Sequence, residues 1–459
     1  MQYLSPTQQA KKEERFKSSH SNTVYLLTMN KQLSKKAIDD LTAKKMTLTA
    51  LPTDLLEKIF KEEYKNLLKV GLRKWIQEQS DKIDLKWLCS NTSIHAIEIL
   101  NAESVKNPDK LDWKRLSANP NAIEILTANI DRINWDEFSS NPSPDTYDLF
   151  KKNIKKLNFG KLSQNPSAIY ILTTNTYRID ESYTGVRAAP IGITKNPDIN
   201  WMEVSSNPNA VELLITNKDD INWDYLCANP SSKAIKLIEK KLEVDPDYIN
   251  YRILSGNPNA FNLLNKQFNK EKGLKGEDLE DQNYQKLDWK NLSGNPGTIK
   301  LIQKRWYYEK QLKRTDIQFY NLLEEFDMIV NWKIVSGNLK AKKLLKAKYE
   351  EEKLLKKVSL DKYNALNFKE KLDWKKLSAN PCAVCIIEEE LLTNPENHEI
   401  DWNALSANPK AIHLLKKYQD KIAWKYLSTN PSIFGISGND KAHSSKSSSY
   451  KYVSPKFYL

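Results

Sequence analysis

"INWDYLCANPSSKAIKLI", residues 221–238, decides the fold, because shorter and longer versions of it return along most of the 459-residue chain. A catalytic motif needs to occur once; a phrase that returns about a dozen times is a building unit. With the aromatic as register mark, the copies stand at Trp113, Trp135, Phe159, Trp201, Trp223, Tyr251, Trp289, Trp332, Trp374, Trp402 and Trp424, and a weaker first copy puts Leu85 in that slot. Six residues later every copy has Asn, from Asn91 to Asn430, and Pro follows it in ten of the twelve, Thr92 and Leu339 being the exceptions.

Fixed offsets of this kind have a physical reading. Asp or Asn stands just before the aromatic in every copy but the last, which has Ala423, and either side chain is a good helix N-cap. The aromatic then opens a short helix, and the aliphatic three residues on (Leu116, Leu226, Leu405) falls on the same face. The next slot holds Ser in ten copies and Cys in two, Cys89 and Cys227, as a close helix contact requires. Asn-Pro ends this helix, since the residue before proline is pushed out of the α region. The same pair is expected to start a second helix, with Asn as cap and Pro at the first helical position, before an apolar run such as "AIEIL" or "AVELL".

Each unit therefore reads as two short helices, with Trp as its core and Asn-Pro as its hinge. The expected fold is all-α, an α-solenoid of about twelve short helix-pair repeats over residues 83–436. Trp113, Trp135, Trp201, Trp223, Trp289, Trp332, Trp374, Trp402 and Trp424 supply the repeat core, and each is expected to remove roughly 150–250 Å² from water. Spacing between aromatics runs from 22 to 43 residues, so the front half is constant and the connector varies, as in solenoids whose insertions gather on one face. A leucine-rich-repeat horseshoe has a similar period, but its Leu-x-x-Leu-x-Leu strand pattern is missing.

Composition narrows the class. The chain is 40% apolar and 28% charged, so most of it is expected to fold, and no apolar run approaches the 18 residues of a membrane span. The N-terminal sequence "MQYLSPTQQAKKEERFK" lacks the apolar core of a secretory signal, and four cysteines make no disulfide framework. The net charge of +13 is uneven: residues 1–47 carry 9 Lys/Arg against 4 acids and residues 437–459 carry 4 against 1, which leaves +5 for everything between. Any nucleic-acid binding is therefore expected from the tails, weak and salt-dependent.

Phrases such as "LDWKRLSANPNAIEILTANIDRINW" and "IAWKYLSTNPSIF" resemble the Asn-Pro/Trp repeat proteins that giant DNA viruses of the mimivirus-like lineages encode in many copies. The likeness covers about residues 83–434 and implies a helical repeat protein of the host cytoplasm, the viral factory or the virion, with no catalytic residues attached to the motif. Upstream, "LPTDLLEKIFKEEYKNLLKVGLRKWI" resembles an F-box, the short helical module that docks on the Skp1-type adaptor of a ubiquitin ligase, with Leu51, Pro52, Leu55, Ile59 and Trp75 matching the motif. The same segment, 48–82, also reads as an N-terminal cap over the apolar end of the array. Residues 1–47 read as a flexible basic arm and 437–459 as a flexible Ser-rich tail.

Little points to chemistry. Cys382 and Cys385 form one Cys-x-x-Cys at a helix start, without a second pair or a His at zinc spacing. His20, His95, His398, His413 and His443 are scattered, and there is no phosphate-binding glycine loop or nucleophile elbow. The lysine-rich stretch 340–376 reads as a solvated helix face. The expectation is a non-enzymatic scaffold without metal or cofactor, binding protein partners through its connectors. A ligase substrate adaptor and a structural protein contacting capsid proteins are the alternatives.

Overall fold

A computed structural model describes residues 70–179, 193–245, 248–272, 274, 279 and 286–436. The chain divides into two units, Met1–Val70 and Gly71–Leu459. The arm expected at 1–47, most of the 48–82 segment and the tail at 437–459 lie outside the described residues. The second unit is an all-α helical repeat protein. The short strands among the described residues are β1 (Val70–Leu72), β2 (Tyr177–Ile179), β3 (Ile193–Lys195) and β4 (Phe434–Ile436), with β1 paired to β4 and β2 to β3. The antiparallel β2–β3 ladder pairs Tyr177 with Lys195, Arg178 with Thr194 and Ile179 with Ile193.

Each repeat begins as its sequence dictates. Trp113–Ala118, Trp223–Ala228 and Trp402–Ala407 are first helices, capped by Asp112, Asn222 and Asp401, whose side chains accept a backbone N–H three residues on at 3.0 Å. Ala423 offers no such bond before Trp424–Ser428. The second helix departs from expectation. In eight repeats it starts ten residues after the aromatic, as at Ile123, Val211 and Ile412, behind an alanine, or Thr298 in one repeat, that makes no side-chain cap. Asn-Pro mostly makes a turn instead, and it opens a short helix as expected only at Pro166–Ala168 and Pro431–Ile433, where Asn165 and Asn430 are the caps.

The Asn side chain is the central device of the fold. Asn119 Nδ2 donates to the carbonyls of Cys89 and Asn91, at 2.9 and 3.0 Å, in the preceding repeat, while its Oδ1 accepts the Asn121 N–H at 3.1 Å. Asn141, Asn165, Asn207, Asn229, Asn257, Asn295, Asn338, Asn380 and Asn430 repeat both donor bonds one unit further on each time, and Asn408 reaches Ser378 O. The small slot is a second relay. Ser117 Oγ donates to Trp113 O at 2.7 Å and accepts the Asn134 N–H of the next repeat at 2.9 Å. Cys89 and Cys227 take the same position, each meeting the next cap residue's backbone N–H. Size was the expected reason for Ser; two-way hydrogen bonding is the observed one.

The array does not end. Asn91 Nδ2 of the first repeat donates to Ser428 O of the last at 2.9 Å, and Ser428 Oγ accepts the Asp84 N–H at 2.9 Å. These are the bonds that join every other pair of neighbours. Around them Trp87 meets Tyr426 at 5.2 Å between ring centroids, Arg73 N–H reaches Ile433 O at 3.0 Å, and Gln79 bonds Gln419 at 3.1 Å. Twelve repeats therefore close into a ring, not the open curved rod implied by a solenoid. The described part of the expected cap, residues 70–82, is a clasp across this seam. Closure makes a cap unnecessary, since no apolar repeat end is left exposed.

The tryptophans divide into two groups. Trp289, Trp332 and Trp374 are buried, but Trp113, Trp135, Trp201, Trp223, Trp402 and Trp424 are only half-buried, and the constant core of the repeats is the aliphatic three residues on together with Ser and Asn. The difference comes from the preceding second helix. In three repeats, Phe261–Glu271, Ile299–Thr315 and Lys342–Val358, that helix is long and carries an aromatic, which it places on the next Trp: Phe268 on Trp289, Trp306 on Trp332 and Tyr349 on Trp374, at 5.7, 4.8 and 6.1 Å. Six-residue helices such as Ile123–Ala128 end too soon to do this, and Ile94–Lys106, though thirteen residues long, has Ala102 at the corresponding position before the half-buried Trp113.

One glycine is dictated by the same close approach. A Cβ on Gly297 would lie 2.0 Å from Pro258 O of the preceding repeat. Gly297→Ala is expected to lower stability by about 1–3 kcal/mol through overpacking against backbone, measured by urea denaturation. An unchanged midpoint would mean that the two turns are further apart than described.

Candidate interaction surface

The residues able to do chemistry are mostly spent on the fold. Glu271, Glu309 and Glu352 are buried, each twenty residues after its repeat's aromatic, and accept the backbone N–H of Leu287, Val330 and Leu372 at 2.6, 2.8 and 2.9 Å. They hold the aliphatic residue two places before the next aromatic. Burial pushes the Glu271 carboxyl up to about 7, against the pull of the Leu287 N–H and the Arg305 charge. Arg305 lies 3.4 Å from Glu309, donates to Met328 O and sits 4.9 Å from the Trp289 ring centroid. Burial also raises Glu309, and Arg305 opposes that rise. These carboxyls form no cleft with a nucleophile; they tie long second helices to the repeat that follows.

The raised Glu271 value has a consequence for stability. A carboxyl with a higher pKa folded than unfolded binds more protons in the native state, so its contribution is full below about 4.5 and is lost as pH rises through about 7. Glu271→Gln keeps an oxygen for Leu287 and removes the titration. The variant is expected to gain on the wild type by roughly 1–3 kcal/mol between pH 5 and pH 7.5, read from urea midpoints at both values. Parallel pH profiles for the two proteins would show that Glu271 is ionised throughout.

Leu51, Pro52, Leu55 and Ile59 lie outside the described residues, and Trp75 is 6% exposed within the clasp. Cys382 is half-buried, with its thiol pushed up by burial, and Cys385 is exposed on the helix Val384–Thr393. Burial works against activation of the Cys382 thiol at the helix start. Among the described residues no group of three His, Cys, Asp or Glu side chains is placed to hold a metal ion. His95 rests against Glu98 at 3.1 Å and His413 near Glu388 at 3.8 Å, while His20 and His443 lie outside the described residues. The lysine-rich stretch is largely answered within the ring, Lys346 and Lys353 by Glu389 and Lys369 by Asp327.

What remains open to a partner is the set of exposed positions. The first helices of neighbouring repeats pack side by side around the ring, whereas the second helices of neighbours touch less. In a closed two-layer ring the layer with the shorter circumference packs more tightly, so the first helices form the inner layer. Their exposed faces are the residues one and two places after the aromatic, and these link across repeats: Lys114 to Glu137 at 3.6 Å, Lys161 to Asp136 at 2.6 Å, Arg252 to Asp288 at 3.4 Å. This continuous inner band was not foreseen, since only closure gives the array an inside. No helix among the described residues is long and apolar enough to cross a membrane. No family model, curated protein or solved structure matches the chain.

Proposed function

We propose that the protein is a non-enzymatic scaffold, a closed ring that binds other proteins, in keeping with its resemblance to giant-virus repeat proteins. The observation that carries this reading is a division of labour within each repeat. The constant residues (the cap, the aliphatic, Ser and Asn) are committed to joining neighbours, and the exposed positions between them differ from repeat to repeat. A frame held by fixed residues with a varied surface suits recognition. Ring closure adds rigidity, so little ordering entropy is lost on binding.

On this reading the protein acts in the host cytoplasm or viral factory. A ligase-adaptor role is the weaker reading, because Trp75, one of its five motif residues, is buried in the clasp. Affinity purification of the tagged protein from infected cells, with nuclease treatment and mass spectrometry, tests the proposal. A reproducible set of co-purifying proteins in near-stoichiometric amount is expected. Recovery of the protein alone would overturn the scaffold reading; a Skp1-type adaptor with cullin would establish the adaptor instead, and capsid proteins would place the scaffold in the particle.

A further inference from the structure

The modest charge of the array conceals a sharp asymmetry that appears only when the ring is closed. Taken in ring order from the seventh repeat across the seam to the second, the first helices read YRILSG, WKNLSG, WKIVSG, WKKLSA, WNALSA, WKYLST, LKWLCS and WKRLSA. These eight hold nine basic residues and no acid. The four that complete the circle, WDEFSS, FGKLSQ, WMEVSS and WDYLCA, hold one basic residue and four acids. With 71 basic and 58 acidic residues in the chain as a whole, composition alone would place acids at nearly half of the charged positions.

The fold does not require this bias. The position after the aromatic is exposed, and Asp136, Met202 and Asp224 occupy it on the same backbone as Lys290, Lys333 and Lys375. No described ion pair engages those three lysines, in contrast to Lys161 on the other side of the ring. Like charges are crowded here: burial holds the Lys376 ammonium below its usual range, and Lys333 and Lys290 lower it further against the pull of Asp373. Arg252, Arg115 and Lys114 of the arc are paired with Asp288, Asp112 and Glu137, but Lys290, Lys333 and Lys375 form a row of cations that nothing in the frame demands, and such a row suits an anionic ligand.

We propose that this arc of the inner layer binds single-stranded nucleic acid. Cations alone would suit any polyanion; the aromatic step at the seam selects among them. Trp87 and Tyr426, each two places after its register residue, lie half-buried side by side, with Lys425 Nζ 4.5 Å and the Arg115 guanidinium 4.1 Å from the Trp87 ring centroid. Aromatic rings interleaved with cations along a basic track are what bases and phosphates of a single strand engage together. Eight neighbouring helices at about 8–10 Å spacing give a track of roughly 60–70 Å, ample for the ~4–16 nucleotides such grooves hold. This activity does not depend on any protein partner, and it contradicts the sequence expectation that nucleic-acid binding resides in the tails.

The test uses the full chain and a fluorescein-labelled dT20 strand, followed by anisotropy across a salt series. Lys290→Asp, Lys333→Asp, Lys375→Asp and Lys425→Asp are combined, since Asp already stands at this position in two repeats. A control with the same charge change carries Lys236→Glu, Lys240→Glu, Lys300→Glu and Lys343→Glu on exposed faces of second helices. The wild type is expected to bind, with the arc variant weaker by about 100-fold and its slope of log K against log salt flatter by about 3, at ~0.7 per lost phosphate contact. The control is expected to stay within about threefold. Absence of wild-type binding, or equal weakening in both variants, would overturn the proposal. Displacement of dT20 by polyglutamate at equal charge concentration would assign the arc to acidic proteins instead.

Discussion

Asn229→Asp is expected to lower the stability of the ring by about 4–5 kcal/mol, and Asn229→Ala by about 3 kcal/mol, in urea denaturation. Asn229 is fully buried, donates to Ser205 O and Asn207 O at 2.9 and 2.8 Å, and accepts the Ser231 N–H at 2.9 Å. Alanine takes a donor from two carbonyls, of which Asn207 O keeps the Ala210 N–H, and leaves the Ser231 N–H without its partner. Aspartate is worse despite its matching shape, because it turns an oxygen toward two carbonyl oxygens where two N–H bonds had been. Burial and those oxygens both oppose ionisation, so the Asp variant regains stability as pH falls and the carboxyl takes up a proton. A loss below 1 kcal/mol for Asp would mean that the amide ladder does not hold neighbouring repeats together.

Trp289→Ala and Trp113→Ala form the second expectation, since one residue type in one register has two environments. Trp289 is fully buried beneath Phe268 and beside Arg305, and its loss leaves a cavity worth about 3–5 kcal/mol. Trp113 is half-buried, with its indole N–H donated to Pro108 O at 2.9 Å, and its truncation is expected to cost about 1–2 kcal/mol. Thermal and urea midpoints of the two variants read the difference. Equal losses would contradict the role given to Phe268 and its counterparts in covering the next tryptophan.

Much of this fold was legible because it is repeated. A constant Asp or Asn before the aromatic identifies a cap from one copy, and twelve copies make the unit certain. Asn-Pro was harder, because its sequence context fits a helix N-cap equally well; that the amide reaches backward across a repeat boundary is a tertiary fact with no local signature. The Trp environments were legible in principle. Phe268, Trp306 and Tyr349 all lie seventeen residues after their register aromatic, as Gln267, Arg305 and Lys348 lie at sixteen and Glu271, Glu309 and Glu352 at twenty. A second register along the long connectors would have shown a conserved face where only helical character was read. Closure was not legible: whether a stack of helix pairs curves into a rod or a ring depends on small angles at each interface, and these accumulate over twelve repeats. The charged arc followed closure out of sight, because its two halves lie at opposite ends of the sequence.

The closed ring is tested most directly by the distance between positions 86 and 425, carried on the first helices of the first and last repeats. Spin labels at Lys86→Cys and Lys425→Cys, with Cys382→Ser and Cys385→Ser removing the accessible native thiols, report it by pulsed electron resonance; Cys89 and Cys227 are buried. Closure puts the two backbones within about 10 Å, the spacing of packed helices, and gives one narrow distribution at the short end of the measurable range. A broad or long distribution, approaching the ~100 Å contour of twelve repeats at that spacing, would show an open array and remove the basis for both the clasp and the inner arc.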